Sequence, residues 1–187
     1  MIEKDMMEAP LLAKPAQEFK VSPYRWVILF IFALPLAASS YVMLTFAAFA
    51  TTCAKAYEVD VEVVNSCVIV YLACSICLNL FSSPVLEKFG LAYTFRGCAA
   101  IIILGSWIRY FSISFADNFY YLLVGQTLPA IAQPFLINGV SKVATQWFGD
   151  DERGVATAIG SLADQFGNIM GFVLAPFFIT EYDGENL

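Results

Sequence analysis

Apolar residues along this chain gather into long blocks separated by short polar joints. Trp26 to Ala50 is 25 residues without a charge, Val63 to Leu86 is 24, and Phe119 to Ser141 is 23. An α-helix rises 1.5 Å per residue and needs roughly 20 residues to cross about 30 Å of hydrocarbon. Each block therefore predicts a transmembrane helix. A fourth block, about 91–114, holds Arg96 near one end and Arg109 near the other, where long basic side chains can reach the headgroups. A fifth, 154–180, is interrupted only by Asp164. The pattern predicts an all-α membrane protein with five spans, 26–50, 63–86, 91–114, 119–141 and 154–180, in one bundle covering 24–180.

Composition supports this reading. Hydrophobic residues make up 59% of the 187 and charged ones 14%, a balance that leaves a single soluble domain of this size too much apolar surface to hide. There is no histidine, which removes His-based triads, zinc sites and haem ligation. The net charge of −6 gives a nucleic-acid partner no basic footprint. Cys74 and Cys77 form a CxxC, but it lies inside an apolar block without a second CxxC. The five cysteines are read as small packing residues, and no metal or cofactor is expected. No phosphate loop or catalytic constellation is present, so the chain is read as a non-enzyme.

Lys and Arg set the orientation. With the N-terminus inside, Lys4, Lys14, Lys20, Arg25, Lys88, Arg96, Lys142 and Arg153 fall on the inner side, and only Lys55 and Arg109 fall outside. This predicts a disordered cytoplasmic tail at 1–23 and a non-cytoplasmic tail at 181–187. Within the first tail, Glu8-Ala9-Pro10-Leu11-Leu12 has the look of an acidic dileucine sorting signal with its acid one place too close. The expected location is the plasma membrane or an endolysosomal membrane.

Asp164 lies about ten residues into the fifth span and is the only charge in the middle of any span. Charges at that depth cost a few kcal/mol or more and face a cavity or a partner. At 100° per residue, Gly160, Asp164, Gly167, Asn168 and Gly171 share one narrow face, and Gly167 and Gly171 make a small-xxx-small step suited to close helix packing. Asp164 is a candidate for binding a cation or a proton. The competing reading is a protonated, hydrogen-bonded Asp that holds two helices together, with Asn168 as its local partner. Gln126 and Gln133, seven apart, share a face of the fourth span, with Asn138 five further on. Amides are costly in lipid and point inward. Their plainer reading is helix-to-helix hydrogen bonding. Pro35, Pro129 and Pro134 interrupt spans as bending points or static kinks.

Several motifs then resemble a known family. Leu86-Glu87-Lys88-Phe89-Gly90-Leu91 is similar to an inner-loop signature with an acid-basic-x-Gly core. Gly105-Ser106-Trp107-Ile108-Arg109, Gly125-Gln126 and Ala132-Gln133 resemble the third and fourth helices of the same family. Trp147-Phe148-Gly149-Asp150-Asp151-Glu152-Arg153, followed by Ala156-Thr157-Ala158-Ile159, is the strongest match, continued by Asp164-Gln165-Phe166-Gly167 and Ala175-Pro176. The chain resembles the N-terminal half of a major facilitator superfamily transporter, in the FLVCR-like branch of choline, haem-related and pyridoxine transporters.

The resemblance implies an incomplete N-terminal six-helix bundle and alternating-access transport of a small organic solute (choline-, haem- or vitamin-like). The chain is then expected to be a fragment of a longer transporter, its partners being the lipid bilayer, the solute, and a missing C-terminal half or second chain. The alternative is a non-transporting membrane interaction or regulatory protein that keeps half of the fold. Candidates for the substrate path are Gln165, Asp164, Gln126, Gln133, Met43 and Tyr41; Gln165 matches a substrate-contacting Gln of the relatives. Candidates for an inner gate are Glu87, Lys88 and Gly90 with Asp151, Glu152 and Arg153. There are departures: Ser83 and Glu87 stand where the signature has Gly and Asp, and Leu91 where it has a basic residue. Gln126 and Gln133 occupy a helix whose Arg serves many proton-coupled antiporters. Met43 stands where choline-transporting relatives stack an aromatic on the ammonium.

Overall fold

A computed structural model describes residues 22–112 and 118–178. Apart from Ser22 and Pro23, the two expected tails, including the dileucine stretch, lie outside the described residues. Among these residues six helices follow one another: α1 (Tyr24–Ala48), α2 (Ala50–Ala56), α3 (Val61–Phe89), α4 (Leu91–Phe111), α5 (Phe119–Trp147) and α6 (Asp150–Phe178). Three of them, α1, α3 and α4, are long and apolar enough to cross a membrane, with mean hydropathies of 2.3, 2.1 and 1.5. The helices α5 and α6 are as long as α3, at 29 residues each, but amides, glycines and acids dilute their apolar character.

Several boundaries differ from expectation: α3 runs on to Phe89 and α5 to Trp147, past the charges that ended their apolar blocks. The first apolar block does not run unbroken to Ala50. Phe49 leaves the helical region (φ −134°, ψ 35°) and a separate seven-residue helix follows. Nothing in the composition of the block marks this break, because the block stays apolar across it. The last helix starts at Asp150 rather than Gly154. Asp150, Asp151 and Glu152 form its first turn, where carboxylates favour the positive end of the helix dipole. At the start of α5, Asn118 caps the helix by accepting from the Tyr120 N–H at 2.9 Å.

Packing follows helical stripes. Buried α1 residues recur as Leu29, Phe32, Leu36, Ser39 or Ser40, and Phe46. The helix α5 is buried at intervals of three and four along its whole length, from Phe119 to Ala144. It touches α1, α3, α4 and α6, whereas α3 and α6 make no contact with each other among the described residues. One apolar cluster, around Leu29, Phe32, Leu136, Val143 and Phe148, fills the end that holds the N-terminus of α1. A second, around Phe46, Cys53, Cys67, Phe119 and Leu122, fills the opposite end. Cys53, Cys67 and Cys98 are buried free thiols.

Close approach is set by glycines. A Cβ on Gly167 would meet the Ala37 carbonyl, one on Gly171 the Tyr41 carbonyl, and one on Gly160 the Val140 side chain. These three are the candidate packing residues, and they bring α6 against α1 and α5. A second close approach joins α4 to α5. A Cβ on Gly105 would meet Pro129 and the Gly125 carbonyl. Pro129 has no N–H to offer that carbonyl, and Gly105 leaves it room.

Candidate functional site

Between the two apolar clusters lies a polar layer. Gln133 is the central residue of α5 and Asp164 the central residue of α6. The Gln133 amide N–H group donates to Asp164 Oδ1 at 3.0 Å and to Ser40 Oγ at 3.1 Å. Ser40 also hydrogen-bonds directly to Asp164 Oδ1 and back-bonds to the Leu36 carbonyl at 3.0 Å. On the other side of Gln133, the Tyr71 hydroxyl from α3 donates toward Oε1 at 3.3 Å and pairs with Ser39 Oγ at 2.6 Å. The network therefore ties α1, α3, α5 and α6 together at one level. Asp164 Oδ1 thus meets both the Gln133 amide and the Ser40 hydroxyl. Ser39, Ser40, Tyr71 and Gln133 are buried, and Asp164 is half-buried.

The other path candidates are distributed differently. Gln126 is 0% exposed; its amide N–H donates to the Val42 carbonyl at 3.2 Å, and its Oε1 is buried without a partner. Gln165 is exposed on α6 beside Asp164. Tyr41 and Met43 are half-buried; the Tyr41 carbonyl accepts from Thr45 Oγ1 at 2.6 Å and abuts Gly171. Asn168, also half-buried, has a buried, unpartnered Oδ1 and does not serve as the local partner of Asp164. Asn138 donates to Asn79 Oδ1 at 2.5 Å and Ser82 Oγ at 2.6 Å, a polar contact between α5 and α3.

The expected gate residues are not gathered into one cluster. Glu152 pairs with Arg25 of α1 at 2.8 Å, and the Arg25 guanidinium lies 5.8 Å from both the Trp26 and Phe148 rings. Arg153 pairs with Asp150 and donates to the Phe148 carbonyl at 3.3 Å. Asp151 is exposed. Glu87 and Lys88 are exposed at the end of α3, with Lys88 over the Phe89 ring at 5.7 Å, and neither pairs with α6 among the described residues. Gly90 serves as the joint between α3 and α4 at φ 79°. Charge contact at this end thus links α1 to α6 instead of α3 to α6.

Sequence reasoning missed Ser39, Ser40 and Tyr71, ordinary small or amphipathic residues within apolar runs. It also took Arg109 for a headgroup contact. The structure turns that side chain inward, its guanidinium 4.5 Å from the Phe46 ring and its stem against Gly125. The glycine at 125 was the available signal, since it leaves a slot one helix away.

The Major Facilitator Superfamily pattern matches residues 27–185. The chain belongs to the Major Facilitator Superfamily. It is 28% identical over 171 residues to Solute carrier family 49 member A3 of Xenopus tropicalis, covering 88% of this chain and 36% of that protein. It is 28% identical over 166 residues to Choline/ethanolamine transporter FLVCR1 of Mus musculus, covering 89% and 30%. With Choline/ethanolamine transporter flvcr2a of Danio rerio it shares 30% over 155 residues, covering 83% and 33%. The chain spans about a third of the length of these relatives. It corresponds to the N-terminal half of an FLVCR-like transporter of the superfamily, and as such it is an integral membrane protein. In that setting the large apolar side chains exposed on α3 and α4, such as Ile76, Leu80, Ile103 and Leu104, suit lipid.

Proposed function

We propose that this chain crosses the membrane five times from a cytoplasmic N-terminus and provides one wall of an alternating-access pathway for a small organic solute. The observation that carries this reading is the polar layer of Asp164, Ser40, Gln133 and Tyr71, held between the two apolar clusters, with Gln165 exposed beside it. Intramembrane polar groups mark substrate paths, and transporters of this kind hold solute near the midplane between two repeats. Asp164 anchors the layer, Gln133 spans it, and Gln165 offers its amide to the solute. Gln126, Met43 and Tyr41 continue the wall toward the outer end. At the inner end, the Arg25–Glu152 pair holds α1 to α6 in one state and releases in the other; Glu87, Lys88, Gly90, Asp151 and Arg153 flank it.

The test is uptake into proteoliposomes by the complete protein that contains this chain, with the choline and ethanolamine of its relatives included among the solutes. Gln165→Ala is expected to weaken uptake about tenfold while the protein remains folded. Asp164→Asn is expected to reduce it and alter its dependence on pH. Unchanged uptake in both variants removes these side chains from the path. Absence of uptake for every solute, together with stable capture of another membrane protein, points to an interaction role instead.

A further inference from the structure

Arg109 is the one cation of α4 that turns into the bundle, and no carboxylate is paired with it among the described residues. The titratable side chains around it are Cys67, Tyr41, Tyr71 and Cys53, all uncharged at neutral pH when unperturbed. A guanidinium over the Phe46 ring gains a cation–π contact, but its five N–H donors look for oxygen acceptors. One turn along α1 from Phe46, the Val42 carbonyl holds the Gln126 amide N–H group, which leaves the fully buried Gln126 Oε1 without a donor. Gln126 follows Gly125, the residue on which the Arg109 stem rests. Buried side-chain oxygens rarely stay unpaired. Within one turn of α1 the protein thus presents a charged donor lacking an anion and an acceptor lacking a hydrogen.

We propose that Arg109 and Gln126 form a subsite for the carboxylate end of an amino or hydroxy acid. The guanidinium takes the carboxylate as a two-point contact. Gln126 Oε1 takes the adjoining N–H or O–H, and Phe46 closes the apolar side. The same subsite disfavours a solute that is only a cation. This inference rests on the transport reading and narrows its solute class.

The complete protein, purified in detergent, is screened for thermal stabilisation by L-alanine, L-lactate and choline, each against sodium chloride. Stabilisation by L-alanine or L-lactate is expected, lost in Arg109→Gln, reduced about tenfold in affinity in Arg109→Lys, and weakened in Gln126→Leu. Lys55→Gln, which removes an exposed cation outside the path and the gate, serves as the control and leaves carboxylate binding in place. Stabilisation by choline alone, unchanged in Arg109→Gln, overturns the proposal and leaves the transport reading intact. So does an equal effect of chloride, which assigns the charge to an inorganic ion. If Arg109→Gln does not fold, the affinity of Arg109→Lys and Gln126→Leu decides: wild-type binding of L-alanine and L-lactate in both overturns the subsite.

Discussion

The helix α5 meets its neighbours in two contrasting ways. Toward α1 and α6 it presents Gln133 to a carboxylate and a serine, and these three groups are hydrogen-bonded to one another. Toward α4 it presents Gly125 and Pro129 to Gly105 and Arg109, and the strongest charge there finds only a ring. One side is hydrogen-bonded into a fixed layer; the other is fitted closely but left electrostatically open. In lipid, where helix association rests on packing and interhelical hydrogen bonds, the first arrangement fixes a geometry. The second keeps a charge available.

The largest effect should come from closing the glycine contacts. Gly167→Val drives a side chain into the Ala37 backbone, which cannot move aside as a side chain can. Overpacking of this kind costs about 1–3 kcal/mol or more, and a lowered melting temperature in detergent is the expected readout. Gly125→Val, which meets the stem of Arg109, should cost less. Equal losses at the two positions would erase the contrast.

Asp164→Ala comes next. It leaves the Gln133 amide short of an acceptor at a buried site, a loss of about 1–3 kcal/mol, whereas Asp164→Asn keeps an oxygen in place and should recover part of it. Arg109→Gln should change stability less than Asp164→Ala, because no hydrogen bond is broken. A larger loss at Arg109 would show that the open side is the structural one. Tyr71→Phe removes the hydroxyl shared with Ser39 and Gln133 and should cost about 0.6 kcal/mol, the mean for hydrogen bonds inside membranes. Smallest of all, Glu152→Gln breaks a pair whose acid is 39% exposed. A change of about 0.5 kcal/mol, fading as salt rises, is expected from unfolding at two ionic strengths.

The sequence made the helices legible because unbroken apolar runs have few other fates. It made the glycine face of α6 legible as well, since a spacing of three and four places residues on one side of a helix. Gln126 and Gln133 were legible as inward-facing by the same rule, but their partners were not. Ser40 is 93 residues from Gln133, and Glu152 is 127 from Arg25, so only tertiary packing selects the pairing. The direction of Arg109 escaped for a related reason. A long side chain near a helix end reaches either headgroups or the interior, and the neighbouring helix decides. The break at Phe49 is also tertiary in origin. It turns α2 so that Cys53 and Ala54 pack with Val64 and Cys67, and Tyr57 just beyond meets the Ser112 hydroxyl at 2.9 Å.

The joint between α3 and α4 is one residue long. Gly90 ends the first helix and begins the second, at a backbone angle of φ 79° that only glycine takes without strain, and nothing crowds its α-carbon. A linker with no spare length leaves no slack for one rod to slide past the other. The two rods stay tied end to end at this point, and replacing the pivot with alanine would strain the joint without a collision.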